Sequence, residues 1–344
     1  MSYFGSNKIG RMFLGGTEIA KAYLGSDLVF QKGGQPQPVE PTPNHACLTF
    51  RSGGSNTLSL SITGTLTPVL YYSTDGTTWT QWDYSALNIS AGHPVFLYGS
   101  NSSGLCKDTD NYAQFVIGGS DTISCSGSAA TLINGTDNLT TVPRTYCFYR
   151  LFYNCSKLTT PPSLPSTTLK GNCYRQMFSG CSALTTAPAL PATTVETSSY
   201  RNMFYGCTSL AEAPALPATT INTYCYYQMF YGCTGLTTLP SSLPATTLKS
   251  NCYYEMFRGC SKITTAPVLP ATTLVTNCYY RMFYSASKLN YVKALFTTTP
   301  GSYTTNWLYG VASTGTFVKN SAATWTNTGA GSVPSGWTVQ TASS

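Results

Sequence analysis

A repeat of about 26 residues, running from residue 145 to residue 296, constrains the fold more than any other feature of this sequence. A hydrophobic pair recurs at intervals of 26, 26, 26, 27 and 26 residues. The pairs are Leu151-Phe152, Met177-Phe178, Met203-Phe204, Met229-Phe230, Met256-Phe257 and Met282-Phe283. A unit this short cannot bury its apolar residues alone, so the repeat predicts a solenoid in which six units stack and share one core.

Each unit combines two local patterns. In the first unit Cys147, Phe148, Leu151, Phe152 and Cys155 are apolar at i, i+1, i+4, i+5 and i+8. This spacing predicts one face of a short helix of about two turns. An extended, proline-containing stretch follows, because proline excludes helix, and a Leu-Pro-Ala-Thr-Thr run closes most units. We therefore expect a leucine-rich-repeat α/β solenoid, with one short helix and one short strand in each unit.

Ten of the 13 cysteines fall into two columns of the repeat. The first column contains Cys147, Cys173, Ser199, Cys225, Cys252 and Cys278, and the second contains Cys155, Cys181, Cys207, Cys233, Cys260 and Ala286. Eight helical residues span about 12 Å, whereas a disulfide requires Cα atoms within about 7 Å. Replacement of cysteine by serine and alanine indicates small buried volumes, so we expect reduced, packed thiols. Zinc is the weaker alternative, because no CxxC spacing occurs.

The repeat consensus Cys-Tyr-Tyr-x-Met-Phe-x-Gly-Cys-x-x-Leu-Thr-Thr-Ala-Pro-x-Leu-Pro-Ala-Thr-Thr-Leu resembles the 26-residue repeat of BspA-type leucine-rich repeat surface proteins. The resemblance covers residues 145–296. It implies a leucine-rich solenoid that serves as an adhesive or binding surface without catalysis. Members of this family occur on bacterial surfaces and in phage-encoded proteins of gut Bacteroidales. A repeat match of this kind is informative about fold and says little about the ligand.

Residues 1–32 contain two copies of a strand, glycine-turn, strand pattern, which predicts a small N-terminal β-hairpin module. The motif is similar to short N-terminal modules of phage tail and fibre proteins. That similarity implies that Phe13, Leu14, Tyr23 and Leu24 anchor the chain to other virion proteins. The alternative is a simple edge hairpin on the following domain.

The complete prediction is a mixed, multidomain protein. A proline-rich linker at 33–44 favours an extended spacer. Short alternating strands predict a β-sandwich at 45–135. The solenoid is predicted to span 136–298, and the strand-like, aromatic residues 299–344 are expected to form a C-terminal β cap, because the end of a solenoid otherwise exposes its core.

A surface stripe of tyrosine and arginine is the predicted ligand-binding site. Its positions lie two and six residues after the first cysteine column, and residues at i and i+4 share a helix face. The stripe comprises Tyr149, Tyr153, Arg175, Arg201, Tyr205, Tyr227, Tyr231, Tyr254, Arg258, Tyr280 and Tyr284. Exposed tyrosine and arginine are typical of binding hot spots. The alternative is that these tyrosines pack between neighbouring helices.

Composition argues against catalysis. Charged residues make up 9% of the 344-residue chain, and only two histidines are present, which leaves little material for acid–base chemistry. Neither a paired-carboxylate site nor a glycine-rich phosphate loop is found, so we expect no enzyme activity, no cofactor and no metal. Residues 144–293 carry 12 Lys or Arg and 3 acids, a local charge of +9. Because the lysines form no run, we expect no nucleic-acid partner.

These features together predict a non-enzymatic phage structural protein of the tail- or head-fibre type. It would be held in the virion by its N-terminus and would display the solenoid to a host cell-surface glycan or protein. The absence of a secretory signal pattern at the N-terminus and the free thiols favour this interpretation. The alternatives are a bacterial cell-surface adhesin and a virion decoration protein without a receptor role. Trimerisation is a hypothesis taken from fibre proteins generally, and no membrane insertion is expected.

Overall fold

The structure is a computed structural model that describes residues 45–325 and 332–342, together with the backbone of four short strands before them. These strands form two antiparallel pairs, β1 with β2 and β3 with β4. Their bounds are β1 Phe13–Leu14, β2 Thr17–Glu18, β3 Lys21–Leu24 and β4 Asp27–Gln31. The side chains proposed for anchoring and the linker at 33–44 lie outside the described residues, so both remain predictions.

Residues 45–135 are predominantly β, as predicted. Their strands are β5 Leu48–Ser52, β6 Asn56–Thr63, β7 Leu70–Ser73, β8 Thr80–Gln81, β9 Leu87–Ile89, β10 Val95–Gly99, β11 Tyr112–Gly119 and β12 Ile123–Ser126. One sheet has the order β12-β5-β10-β7-β8 and continues beyond β12 into a strand of the first repeat, Leu158–Thr160, and a second sheet has the order β11-β6-β9. Strand β6 alternates buried and more exposed residues, which gives it one apolar face. The rings of Phe50 and Phe115 meet between the sheets at 5.4 Å.

A single four-residue helix, α1 Thr131–Asn134, links these sheets to the repeats. The repeats form a β-solenoid of about six turns, which confirms the predicted stacking. We call the turns coils 1 to 6, from the coil of Cys147 to the coil of Cys278. The strands that follow α1 are β13 Leu158–Thr160, β14 Thr194–Val195, β15 Thr220–Ile221, β16 Tyr291–Ala294, β17 Gly315–Lys319 and β18 Trp337–Thr341, and Ser302–Thr304 form a 3₁₀ turn.

The predicted two-turn helix, and with it the α/β class, is wrong. The backbone of Tyr146, Arg150 and Asn154 has φ of 60°, 56° and 57°, and a left-handed residue at every fourth position interrupts an α-helix. Along this segment the backbone N–H groups donate alternately to the next coil and to a residue of the same coil. Phe148 N–H donates to Cys173 of the next coil at 2.9 Å, whereas Tyr149 N–H donates to Tyr146 within the same coil at 2.9 Å.

We call this segment, residues 145–155 of coil 1 and its equivalents in later coils, the turn ribbon. Every second N–H of the turn ribbon bonds to the neighbouring coil, as in a parallel sheet. A helix would use those groups internally. In the turn ribbon, hydrogen bonds between neighbouring coils pair the backbone N–H and C=O groups that a helix would pair within itself.

The core of the solenoid consists of aromatic columns that run along the stack. One column has ring centroids 5.4–5.7 Å apart and contains Phe152, Phe178, Phe204, Phe230, Phe257 and Phe283. A parallel column, spaced 5.5–6.0 Å, contains Phe148, Tyr174, Tyr200, Tyr226, Tyr253 and Tyr279. The first column continues into the sheets, because Phe152 meets Phe115 at 5.1 Å.

All 13 cysteines are free and buried, which confirms the predicted packed thiols. In the second column, Cys155 Sγ lies against the Phe115 carbonyl of β11 at 3.3 Å, and each later thiol lies against a carbonyl of the preceding coil. Cys181 Sγ donates to Phe152 O at 3.0 Å, and Cys233 Sγ donates to Phe204 O at 3.1 Å. These positions therefore tolerate small side chains only, in agreement with buried Ala286 at the end of the column.

The described residues after 296 extend the same stack. Strands β16, β17 and β18 form a parallel sheet in that order. Buried Trp307 stacks on Tyr279 at 6.1 Å, and its Nε1 donates to Ser332 O at 2.8 Å. A large aromatic residue thus covers the end of the aromatic column.

Candidate binding face

The turn ribbon separates the repeat side chains into two sides. Cysteine, methionine and phenylalanine point into the core, whereas the residues two and six positions after the first cysteine column lie on the opposite side. We call this side the outer face. The structure therefore brings the predicted tyrosines and arginines together on one surface, although it does so with turns and not with helices.

Tyr149 differs from the other predicted stripe residues because it is buried, with 2% exposure. Its ring packs edge-on against Tyr112 at 5.5 Å and Tyr146 at 5.6 Å. Tyr149 thus joins coil 1 to the β-sheets. The other ten are all at least partly accessible. In coil 2 the small residue Ser179 takes the place of a stripe residue. Tyr205 is the most open tyrosine of the stripe, with 36% exposure.

The tyrosines of the outer face stack on one another from coil to coil. Tyr227, Tyr254 and Tyr280 form one stack with ring centroids 4.6 and 4.5 Å apart. Tyr205 and Tyr231 form a second stack at 4.6 Å. Stacked rings have few accessible rotamers, so the face is held rigid before any ligand arrives.

Arginine side chains lie over these rings. The Arg201 guanidinium is 4.6 Å from the Tyr227 centroid, and that of Arg258 is 4.7 Å from the Tyr284 centroid. Arg175 lies 5.7 Å from the ring of Tyr149. Such cation–π contacts hold the guanidinium in place and leave its N–H edge able to pair with anions.

A polar ladder runs between the two tyrosine rows, and sequence reasoning missed it. Its members occupy left-handed positions of the turn ribbon. Asn202 Nδ2 donates to Gln228 Oε1 at 2.8 Å, and Gln228 Nε2 donates to Glu255 at 2.6 Å. Buried Glu255 also accepts from Arg258 and lies 3.8 Å from Arg281. The available signal was the recurrence of amide and carboxylate residues one position after the stripe.

The electrostatics of the face differ along its length. In coils 4–6 Glu255 compensates Arg258 and Arg281. Burial and the nearby Glu255 carboxylate raise the pKa of Tyr254 to about 12, so this phenol is neutral at physiological pH. In coil 3, burial and then the charge of Arg175 lower the pKa of Arg201. The two arginines therefore repel one another across neighbouring coils.

The outer face contains a cavity of about 240 Å³ between coils 1 and 3. It opens where Ser179 replaces the tyrosine of the second row. Its lining consists of Tyr153, Asn154, Gln176, Ser179, Gly180, Asn202, Tyr205 and Gly206. A larger apolar groove of about 650 Å³ lies along residues 185–191 and 211–217, where alanine and proline predominate.

Over the described part of the chain no group of three or more His, Cys, Asp or Glu side chains is placed to hold a metal ion. Among the same residues no helix has the length and apolar character needed to cross a membrane. His45, which precedes Cys47 in the sequence, stacks on Tyr98 at 4.6 Å and meets Trp79 edge-on.

Searches against protein-family models, curated proteins and solved structures gave no significant match.

Proposed function

We propose that this protein is a non-enzymatic binding protein whose outer face binds carbohydrate on a cell surface. The observation that carries the proposal is the rigid array of stacked tyrosines and arginines along the solenoid. Tyrosine rings supply flat apolar surface for the C–H faces of sugars, and their hydroxyls supply hydrogen-bond partners. Arginine adds bidentate recognition of acidic substituents. The spacing of the coils suits a polymer, because it presents similar contacts at regular intervals.

We further propose that the protein is a phage virion component of the tail- or head-fibre type, resembling BspA-type surface proteins. In this proposal the N-terminal module, with Phe13, Leu14, Tyr23 and Leu24, binds other virion proteins, and the solenoid projects outward to the host. A trimer is the oligomeric state proposed by analogy with fibres. The competing proposals are an adhesin on a bacterial surface and a decoration protein without a receptor.

A glycan array probed with the full chain tests the binding proposal. The variant Tyr227→Ala should weaken binding about three- to tenfold, because an aromatic contact contributes about 0.5–1.5 kcal/mol. Tyr291→Ala is the control, since Tyr291 is also accessible, with 36% exposure, but lies on strand β16 and not on the outer face. Loss of thermal stability in Tyr227→Ala with unchanged glycan binding would mean that the stack is structural only.

The location proposal needs a separate measurement. Mass spectrometry of purified virions and of cell-envelope fractions should detect the chain in virions. Detection only in the envelope would contradict the phage assignment and support the adhesin. Detection in virions together with no glycan binding would support the decoration protein.

A further inference from the structure

The second row consists of Tyr153, Ser179, Tyr205, Tyr231, Arg258 and Tyr284, and only one of these side chains is small. Tyr153 in coil 1 and Tyr205 in coil 3 are separated by the small, buried Ser179 in coil 2. Neighbouring rings of the row are 4.6 Å apart where the row is continuous. With coils about 4.8 Å apart, the two tyrosines are about 9–10 Å apart, and one ring is missing between them.

The missing ring leaves the cavity of about 240 Å³ described above. A ring inserted between Tyr153 and Tyr205 would make one apolar contact of about 3.5–4.0 Å on each side. The gap between the two tyrosines, which we call the slot, therefore has room for one ring. A flat nucleobase needs only about 7–8 Å between two rings, so the wider spacing suits a puckered, saturated ring. The slot therefore has the dimensions of a single pyranose between two tyrosines.

The floor of the slot is polar. Gln176 Oε1 accepts from Arg150 Nε at 3.0 Å, and Asn202 Nδ2 donates to Gln228 at 2.8 Å. Among the described residues these bonds leave the amide nitrogen of Gln176 and the amide oxygen of Asn202 without partners. One donor and one acceptor at the floor match the hydroxyl groups of a sugar. At Gly206 a Cβ would meet nothing within 4 Å, so this edge of the slot is open.

The arginines of the first row that stand four residues before Ser179 and Tyr205 have no carboxylate to compensate their charge. Arg175 and Arg201 occupy the same position in coils 2 and 3, and neither forms an ion pair with any described residue. The Nε atoms of both are buried and lack hydrogen-bond partners. The Arg150 guanidinium lies over the ring of Tyr153, 4.6 Å from its centroid. In coils 5 and 6, by contrast, Arg258 and Arg281 both lie against the Glu255 carboxylate.

We propose that coils 1–3 of the outer face form a subsite for one acidic sugar residue. Its pyranose ring lies between Tyr153 and Tyr205, and its carboxylate or sulfate pairs with Arg175 and Arg201. The subsite rests on the proposed function and specifies the ligand class: a uronic-acid-containing or sulfated glycan. Coils 4–6 provide aromatic contacts to neighbouring residues of the same polymer without selecting for charge.

Calorimetry with the full chain tests the subsite. The probes are an oligogalacturonate, a heparin-derived oligosaccharide, a neutral galacto-oligosaccharide and the single-stranded oligonucleotide dT10. At least one acidic sugar should bind at least tenfold more tightly than the neutral one, and its affinity should fall with salt. Ser179→Tyr, which supplies the residue type found in other coils, should fill the slot and abolish this preference while the fold is retained.

The charge is tested by the double variant Arg175→Gln/Arg201→Gln, which should weaken acidic-sugar binding about tenfold. The control variant Lys262→Gln/Lys288→Gln removes the same amount of charge from exposed positions. It should change the affinity for the acidic sugar less than twofold. Equal losses of affinity in the two double variants would mean that only net charge matters, and this would overturn the subsite. Unchanged binding of the acidic sugar by Ser179→Tyr would also overturn it. Tighter binding of dT10 through the same residues would replace it with a nucleic-acid site.

The outcomes separate the subsite from the proposed function. Binding of neutral sugars that depends on Tyr227, with no preference for acidic ones, would overturn the subsite and leave the proposed function standing. No binding of any sugar on calorimetry or on the array would overturn both.

Discussion

The buried cysteine is the residue on which the repeat geometry depends most visibly. Each second-column thiol is buried and donates to a backbone carbonyl. Burial raises the pKa of Cys155 and of Cys233 from 9.0 to about 12. Since the thiolate is the reactive form, these cysteines act as small apolar residues with a weak donor. The columns follow from sequence spacing, and the structure adds their partners.

The raised thiol pKa values predict a loss of stability at alkaline pH. In the unfolded chain a thiol ionises near pH 8.5–9, whereas in the folded chain it stays protonated to about pH 12. Between these values the folded state binds more protons, so the free energy of unfolding should be constant up to about pH 8 and fall with rising pH above it. Urea titrations at pH 7, 9 and 10.5 measure this slope.

Cys233→Ala provides the control for that experiment, because alanine already occupies the equivalent position at residue 286. In this variant the free energy of unfolding should fall less steeply with rising pH than in the wild-type chain. Maleimide labelling at pH 8 should leave native thiols unmodified and label all 13 after unfolding. A pH-independent free energy between 9 and 10.5 would contradict the assignment.

At the scale of the element, the turn ribbon is what sequence reasoning misread. Apolar residues at i, i+1, i+4, i+5 and i+8 fit a helix approximately, but they repeat with a period of four. Left-handed residues share that period: glycine stands at 180, 206, 232 and 259, each with φ between 71° and 78°. Period four, with glycine at the last of the three left-handed positions in coils 2–5, was the signal for successive turns. Local periodicity alone did not distinguish the two, because the deciding hydrogen bonds join residues 25 positions apart.

Ser285 tests the backbone requirement of the turn ribbon. It occupies the glycine position in coil 6 with φ 58°, a conformation that costs a non-glycine residue about 1–2 kcal/mol. Ser285→Gly should therefore raise the free energy of unfolding by up to about 1 kcal/mol, after the entropy that glycine loses on folding. Ser285→Val should lower it. Both changes are read from thermal and urea unfolding.

The side chain of Ser285 is exposed, so burial does not confound this comparison. As a control, Ser287→Gly alters an exposed serine of the same coil without a left-handed backbone. It should be neutral or destabilising. Equal effects of glycine at 285 and 287 would rule out the left-handed strain as the cause.

At the scale of the molecule, the described sheets and the solenoid share one hydrophobic core. Each coil contacts its neighbours only, so stability is expected to be approximately a sum over coils and their interfaces. The two ends differ. Coil 1 rests on the β-sheets through Phe115 and Tyr112, whereas the far end is covered by residues after 296, including Trp307.

Trp307→Ala should therefore loosen the C-terminal coils first. Loss of a buried tryptophan costs about 3–5 kcal/mol, and it would uncover Tyr279. Hydrogen exchange followed by mass spectrometry should show lost protection in coils 5 and 6 and retained protection in coils 1 and 2. Uniform loss along the chain would mean that the solenoid unfolds as one cooperative unit.

The sequence alone was sufficient for features that depend on periodic spacing: a stacked repeat, buried thiol columns, β structure before the repeat, and a row of tyrosine and arginine on one side. Those features follow from which side chains are apolar and how often they recur. The turn conformation, the polar ladder through Gln228 and Glu255, and the open slot at Ser179 arise only after the coils are stacked. Each of them depends on hydrogen bonds or gaps between residues one or two repeats apart, and local sequence patterns carry no information about such contacts.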